Sequence, residues 1–240
     1  MFFPVKGYGE GFAAKAIVKV GRPGAVEARA AARALKRGWN YWRFMMNELL
    51  ELAKIRQEQA HKLIGHFNFV KVWESFGAQI NLVGSLKTGL LIKRRDIDFH
   101  IYSREFRLED SFRAMFELAQ KPGVTGLEYK NLLNTEEQCL EWHLWCEDES
   151  RALWQIDMIH ILKGSRYDGY FEKVAERILA VLSPESKLAI LGIKNEIPDE
   201  QKVPGIDIYQ AVIQDGVKDY SAFVKWQTGH QNEGINHWMP

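Results

Sequence analysis

The sequence has few cysteines and no long apolar segment. It contains two cysteines, Cys139 and Cys146, without the Cys-x-x-Cys or Cys/His spacing of a structural zinc site. A disulfide framework is therefore excluded, and reduced thiols in the cytoplasm are the expectation. No run approaches the roughly 18 apolar residues of a membrane-spanning helix, and the N-terminus lacks the apolar core of a signal peptide. We expect a cytoplasmic protein without a membrane partner.

An excess of positive charge is also missing. Lys and Arg number 32 against 31 Asp and Glu, which gives a formal net charge of +1. Proteins that live on long nucleic acids usually carry a strong basic footprint, so long duplex DNA is not an expected partner. A small basic cluster, such as one that contacts a short RNA, is compatible with this balance.

Several common catalytic motifs are absent as well. The sequence has no Gly-x-Ser-x-Gly elbow, no GxxxxGK[ST] phosphate loop and no dinucleotide-binding fingerprint. It also lacks internal repeats and low-complexity tracts. The chemistry must therefore be sought in another pattern.

That pattern lies between Asn81 and Tyr102. An apolar, strand-like run ends at the pair Gly84 and Ser85, and about ten residues later a second strand-like run carries Asp96 and Asp98. Side chains two residues apart on a strand point to the same face. The two carboxylates are therefore predicted to lie side by side.

A third acid occurs in the apolar run from Ala152 to Leu162. Asp157 lies in the middle of this strand-like segment. Burial of an unpaired carboxylate is costly, so Asp157 needs a hydrogen-bond network, a cation or a solvent-filled cleft. It is the third acidic candidate.

Helical and strand-like patterns divide the rest of the chain. Apolar residues recur at helical spacing between residues 25 and 76, with breaks expected near Gly38 and before Leu63. Strand-like alternation follows at 127–131 and 140–147, and helical spacing returns at Tyr170. We expect five segments: an irregular N-terminal segment (1–24), a helical region (25–79), an α/β core (80–166), a C-terminal helical region (167–228) and a loose tail (229–240).

The order of these motifs along the chain is typical of a known fold. A strand, a Gly-Ser turn, a short helix, an Asp-x-Asp strand and a later strand with one Asp resemble the DNA polymerase β-like nucleotidyltransferase superfamily over residues 80–162. The resemblance implies an α/β (α+β) fold, in which a mixed sheet forms the nucleotidyltransferase core between N- and C-terminal helical regions.

The same resemblance implies a reaction. A nucleoside monophosphate would pass from a nucleoside triphosphate such as ATP to an acceptor hydroxyl, with release of pyrophosphate. Two Mg²⁺ ions are the implied cofactors, because hard cations prefer carboxylate oxygens and can align both reacting oxygens. The implied metal ligands and catalytic residues are Asp96, Asp98 and Asp157. The implied nucleotide-binding residues are Gly84, Ser85 and Lys87, at a turn that allows close backbone approach to an anion.

One stretch departs from the family pattern. Many members have Ser before the first Asp, whereas this chain has Arg95, preceded by Lys93 and Arg94. These cations contact a phosphate or the acceptor, or else they form a solvated turn. His100 shares the face of the acids and is either a substrate contact at the cleft edge or a packed sheet histidine. His143, with Glu141 or Glu147, is a further candidate to border the site.

Two other functions are compatible with this sequence, and the first would hold a partner through the helical N- and C-terminal regions. A non-catalytic interaction or regulatory protein would keep the fold and fill its own cleft with side chains, whereas an enzyme would have an open acidic cleft. A metal-dependent phosphohydrolase would need the same acids. For the transferase, the expected partners are a nucleoside triphosphate and a small-molecule, protein or short RNA acceptor.

Overall fold

The computed structural model describes residues 25–230 and 234–240, with side chains from residue 44 onward. The chain divides into two compact units, Met1–Asn47 and Glu48–Pro240. The sheet, the acidic residues and the C-terminal helices all belong to the second unit. The predictions made for residues 1–24 lie outside the described residues.

The centre of the second unit is a five-stranded mixed sheet. Its strand order is β1-β2-β5-β4-β3, in which β2 and β5 are parallel and all other neighbours are antiparallel. This architecture confirms the predicted fold class. The strands are β1 (Ala78–Val83), β2 (Asp96–Ser103), β3 (Val124–Asn131), β4 (Cys139–Glu147) and β5 (Leu153–Ile161).

The two faces of the sheet differ because polar and apolar residues alternate along its central strands. In β2, Ile97 and Phe99 are buried while Asp96 and Asp98 are only half-buried. The same alternation continues in β4 and β5, so one face is apolar and the other carries the acids. Two short helices and two longer helices contribute apolar residues to this core. The acidic face is thus left for the C-terminal helices and for solvent.

Helices surround the sheet and are numbered here in chain order. They are α1 (Ala25–Phe67), α2 (Phe69–Ser75), α3 (Gly84–Lys87), α4 (Leu108–Ala119), α5 (Tyr170–Val181), α6 (Pro184–Glu196), α7 (Gly205–Ile213) and α8 (Tyr220–Gly229). The predicted breaks near Gly38 and before Leu63 do not occur, since α1 is continuous at both places. The chain breaks instead at Asn68, whose φ of 50° is left-handed and ends the helix. The segment after Ser85 forms only the short α3.

The C-terminal helices form a second apolar cluster. It contains Ile190 and Ile193 of α6, Ile208 of α7 and Phe223 of α8, all buried. Ser183 caps α6, since its hydroxyl accepts a hydrogen bond from the Ser186 N–H at 3.1 Å, and Pro184 occupies the first turn.

The end of the chain was expected to be loose, but its described part is packed. Asn236 donates hydrogen bonds to Asp207 and Gln210 at 2.8 and 2.9 Å. Trp238 packs against the C-terminal cluster and donates to Gln214 at 2.6 Å. Residues 234–240 therefore help to hold α7 in place. No helix among the described residues is long and apolar enough to cross a membrane.

Candidate active site

The three acids meet because of strand register. Asp98 of β2 lies directly opposite Asp157 of the parallel strand β5, so their side chains share one face. Asp96, two residues before Asp98, lies on that face as well. The structure therefore brings Asp96 and Asp98 together with Asp157, which follows them about sixty residues later in the chain.

The Gly-Ser turn lies against the same acids. Val83, the last residue of β1, pairs with Asp98 across the antiparallel edge of β2, and this register places Gly84 beside the Asp98 carboxylate. Gly84 has a φ of +67°, and a Cβ built there would lie 2.0 Å from Asp98 Oδ2. Only glycine fits this position without displacing the carboxylate.

The acid cluster holds more negative charge than its surroundings neutralise. Burial, followed by the charges of Asp96 and Asp157, raises the pKa of Asp98 to about 8, although Lys194 and the Ser85 N–H oppose the shift. Asp96 Oδ1 is buried and has no hydrogen-bond partner among the described residues. An orphaned buried carboxylate oxygen beside two other acids fits a site for a hard divalent cation.

Asp157 has its own hydrogen-bond partners. His143 of β4 lies opposite it in register, and His143 Nδ1 is 2.5 Å from Asp157 Oδ1. Gln155 donates to the same oxygen at 2.8 Å. The hydrogen bond to Asp157 raises the pKa of His143 above its ordinary value, burial opposes the shift, and Glu141 adds to it. His143, which was a candidate to border the site, thus contacts Asp157 directly.

A lysine that sequence reasoning missed faces the Gly-Ser turn. Lys194, near the end of α6, donates a hydrogen bond to Ser85 Oγ at 2.7 Å and another to the Tyr209 hydroxyl at 3.3 Å. Ser85 Oγ and the Tyr209 hydroxyl are also 3.1 Å apart. No local motif marks Lys194, because its partner Ser85 lies 109 positions earlier in the chain.

An open cleft of about 300 Å³ adjoins these groups. Its polar side is formed by Gly84, Ser85, Asp96 and Asp98. The opposite wall is largely apolar and comes from the C-terminal helices, with Phe171, Val174, Ala175 and Ile178 of α5 and Ile206 and Tyr209 of α7.

His100 lies at the base of this cleft. Its side chain is buried, and its ring meets that of Phe171 edge to face, with centroids 5.2 Å apart. Nδ1 lies 3.6 Å from Glu172 Oε2 and has no hydrogen bond within the described part of the chain. His100 therefore packs in the sheet and lines the cleft, and its role as a substrate contact stays a prediction.

Lys87 and Lys93, the lysines predicted to contact the nucleotide or the substrate, do not line the cleft. Lys87 is exposed at the end of α3 and is not among the residues that line the cleft. Lys93 donates to the Ile197 carbonyl at 2.7 Å and pairs with Asp199 at 2.7 Å. These contacts hold the loop that follows α6.

Arg94 and Arg95 follow the same trend. Arg94 donates to the carbonyl of Gln201 in that loop. The Arg95 side chain is exposed, while its carbonyl accepts a hydrogen bond from the Gln155 N–H at 2.9 Å. Arg94 thus contacts the loop after α6, whereas the Arg95 backbone is bonded within the sheet.

Comparison with known proteins gives structural likeness alone. No protein-family model matches the sequence, and no curated protein matches it. Among solved structures, GLD-2 in complex with RNP-8 aligns with a TM-score of 0.51 and 8% identity, over 77% of this chain and 70% of that chain. This chain therefore shares the fold of that GLD-2 structure.

Two further structures are similar at lower scores. The poly(A) polymerase complex of GLD-2 with GLD-3 aligns with a TM-score of 0.48 and 11% identity, over 69% of this chain and 57% of that chain. Cid1, an RNA terminal uridylyl transferase, aligns with a TM-score of 0.49 and 15% identity, over 70% of this chain and 53% of that chain. The chain thus spans little more than half the length of each. The resemblance stated from the motifs is confirmed at the level of fold.

Proposed function

We propose that this protein is a metal-dependent nucleotidyltransferase. The observation that carries the proposal is the register of Asp98 with Asp157, which gathers three carboxylates beside a glycine turn. The resulting charge is uncompensated, as the raised pKa of Asp98 and the orphaned Asp96 oxygen indicate. The open cleft beside the acids supports an enzyme over a protein that fills its own site.

The residues fit a pair of divalent cations. Asp96, Asp98 and Asp157 would hold Mg²⁺, whose preferred ligands are oxygens. Bound Mg²⁺ would neutralise the phosphates and stabilise both the attacking and the leaving oxygen of an in-line displacement. The protein contributes the spacing and orientation of the three carboxylates.

The nucleotide would lie on the β1 side of the acids. Gly84 permits close backbone approach, and Ser85 and Lys194 present a hydroxyl and an ammonium group to the phosphates. Lys87, exposed on the same short helix, stays a prediction as a further phosphate contact. The largely apolar wall and the Tyr209 ring suit a flat nucleobase, which typically stacks on aromatic side chains.

The acceptor would lie on the β5 side. Because β2 lies between β1 and β5, Asp98 separates the Gly-Ser turn from Asp157. Asp157 would accept the proton of the acceptor hydroxyl. The acceptor oxygen then bonds to the α-phosphorus as the bond to the bridging oxygen breaks, and pyrophosphate leaves with the electron pair.

The class of acceptor follows from charge and cleft size. With a net charge of +1, the chain lacks the basic surface that would hold long duplex DNA. A short RNA end, a protein side chain or a small molecule remains as the proposed acceptor. The cytoplasm stays the predicted location.

Nucleotide binding and turnover test the proposal together. Calorimetry with each nucleoside triphosphate and Mg²⁺ should show binding by the wild type and weaker binding by Asp96→Asn and Asp98→Asn. Glu176→Gln, a carboxylate change at an exposed position of α5, is the matched control and should bind as the wild type does. Equal affinity in all four proteins would contradict the metal site.

Product analysis then separates the three functions. A transferase releases pyrophosphate only when an acceptor, such as a short RNA with a free 3′ hydroxyl, is present. Orthophosphate release without an acceptor would favour a phosphohydrolase. Binding without any product would favour the non-catalytic protein.

A further inference from the structure

A row of charged and polar groups crosses the acidic face of the sheet toward Asp157. Lys130, on the edge strand β3, donates to Glu141 Oε1 at 3.0 Å. Glu141 contacts His143 Nε2, and His143 Nδ1 contacts Asp157 Oδ1 at 2.5 Å. The row therefore runs from an exposed lysine to a proposed catalytic acid through three adjacent strands.

Strand register holds these groups in line. Lys130 is paired with Glu141 between β3 and β4, and His143 is paired with Asp157 between β4 and β5. The His143 and Glu141 side chains are only 15% and 19% exposed. Since each nitrogen of the His143 ring meets a carboxylate, the ring has one orientation that satisfies both contacts.

The contacts at Asp157 are asymmetric. His143 and Gln155 both bind Oδ1. Oδ2 has no hydrogen bond within the described residues, so it is the oxygen left for a cation or an acceptor proton. A hydrogen bond of this kind controls carboxylate orientation, and loss of such partners typically lowers metal affinity or activity about 10- to 100-fold.

We propose that His143, oriented by Glu141 and Lys130, is the positioning residue for Asp157. It holds Oδ1 so that Oδ2 faces the reacting groups, and it does not itself touch the substrate. The proposal rests on the proposed function, because it concerns the acid that serves the acceptor side of that site.

Two amide substitutions at one position separate the contacts. In His143→Asn the amide nitrogen replaces Nδ1 and can still donate to Asp157. In His143→Gln the amide nitrogen replaces Nε2 and reaches toward Glu141 instead. The two variants are equally neutral, so they differ mainly in which carboxylate receives the donor. His66→Gln, at an exposed position of α1, is the control.

The readouts are turnover and cation binding. We expect kcat for nucleotide transfer to fall about 10- to 100-fold in His143→Gln and within about threefold in His143→Asn. The KM for the nucleotide should stay unchanged, because its proposed contacts lie on the β1 side. Mn²⁺ binding in the presence of a non-hydrolysable nucleotide, followed by electron paramagnetic resonance, should weaken in parallel with kcat.

Each outcome decides the proposal. Wild-type values in His143→Gln would overturn it, as would equal losses in the two variants, since a merely structural histidine would not be rescued by Asn. If His143→Gln fails to fold, Glu141→Gln takes its place and should lower kcat about threefold or more through looser orientation of His143; no change there would overturn the proposal.

Failure of the proposed function has a different signature. In that case the wild type itself shows neither Mg²⁺-dependent nucleotide binding nor transfer, and Asp98→Asn behaves as the wild type does. The positioning role would fail alone if the wild type were active and insensitive to both changes at His143.

Discussion

Lys194 of α6 donates a 2.7 Å hydrogen bond to Ser85, which lies 109 residues earlier in the Gly-Ser turn. This contact joins the C-terminal helices to the sheet core at the point where the triphosphate is proposed to bind. The positive charge of Lys194 also opposes the rise in the pKa of Asp98 that burial and the neighbouring acids cause. Both effects suggest that the C-terminal region completes the site.

Substitution of this lysine tests its role in phosphate binding. Lys194→Met should raise the Kd for Mg²⁺-nucleotide about 10- to 100-fold, since a hydrogen bond between charged groups contributes about 1.5–3 kcal/mol. Calorimetry measures the change. Lys173→Met, at an exposed position of α5, is the control and should leave the Kd unchanged. Equal Kd values for Lys194→Met and the wild type would place the triphosphate elsewhere.

Gly84 offers a sharper steric test. In Gly84→Ala the added Cβ would meet Asp98 Oδ2, whereas in Gly216→Ala it would meet open space at the same φ of +67°. Gly216→Ala should cost about 1–2 kcal/mol of unfolding free energy, because alanine resists the left-handed conformation. Gly84→Ala should cost more than this, because the Asp98 side chain must also move. Only Gly84→Ala should also abolish Mg²⁺-nucleotide binding. If the two variants bind nucleotide equally well, the turn does not abut the site.

Glu172 predicts a dependence of stability on pH. Although burial raises its pKa, the adjacent His100, whose Nδ1 lies 3.6 Å away, and a hydrogen bond from Asn81 bring the pKa of Glu172 down to about 2, below its ordinary 4.5. A lowered folded-state pKa contributes stability above the unfolded value, and this contribution is lost as pH falls toward the folded value. Between pH ~5 and pH ~2 the wild type should therefore lose on the order of 2 kcal/mol more unfolding free energy than Glu172→Gln.

Denaturant unfolding across this pH range measures the difference. Glu176→Gln, a change of the same kind at an exposed site, should follow the wild type. Parallel pH profiles for the wild type and Glu172→Gln would show that the contacts of Glu172 do not stabilise its charged form.

Lys93 separates a structural role from substrate contact. Its bonds to Ile197 and Asp199 predict that Lys93→Met costs about 1 kcal/mol of unfolding free energy and changes nucleotide KM less than threefold. Steady-state kinetics and denaturant unfolding report the two quantities. A tenfold rise in KM with unchanged stability would assign Lys93 to the substrate site instead.

Local patterns predicted much of the fold. Alternation of polar and apolar residues indicated β3 and β4, and an apolar strand-like run indicated β5. The end of α1 was missed, since the helical pattern runs past Asn68 and only its backbone conformation reveals the break. Interactions within a few residues of chain are readable from sequence because they depend on propensity and period.

Only part of the candidate site was predicted from the sequence. Gly84, Ser85, Asp96, Asp98 and Asp157 come together in the structure as their motif spacing suggested. The contacts of Lys93 and Arg94 could not be predicted, because a cation beside an acidic motif can bind either a phosphate or a loop carbonyl. Only the position of the 197–201 loop shows which partner they contact here.

The sequence by itself determined the alternation of polar and apolar residues along the strands. It therefore also determined that Asp96 and Asp98 share one face of β2 and that a glycine turn precedes them in the chain. Tertiary structure alone decided that His143 meets Asp157 and that Lys194 meets Ser85. These pairings depend on strand register and helix docking, which are set by the packing of many residues distant in sequence. No local pattern carries that information.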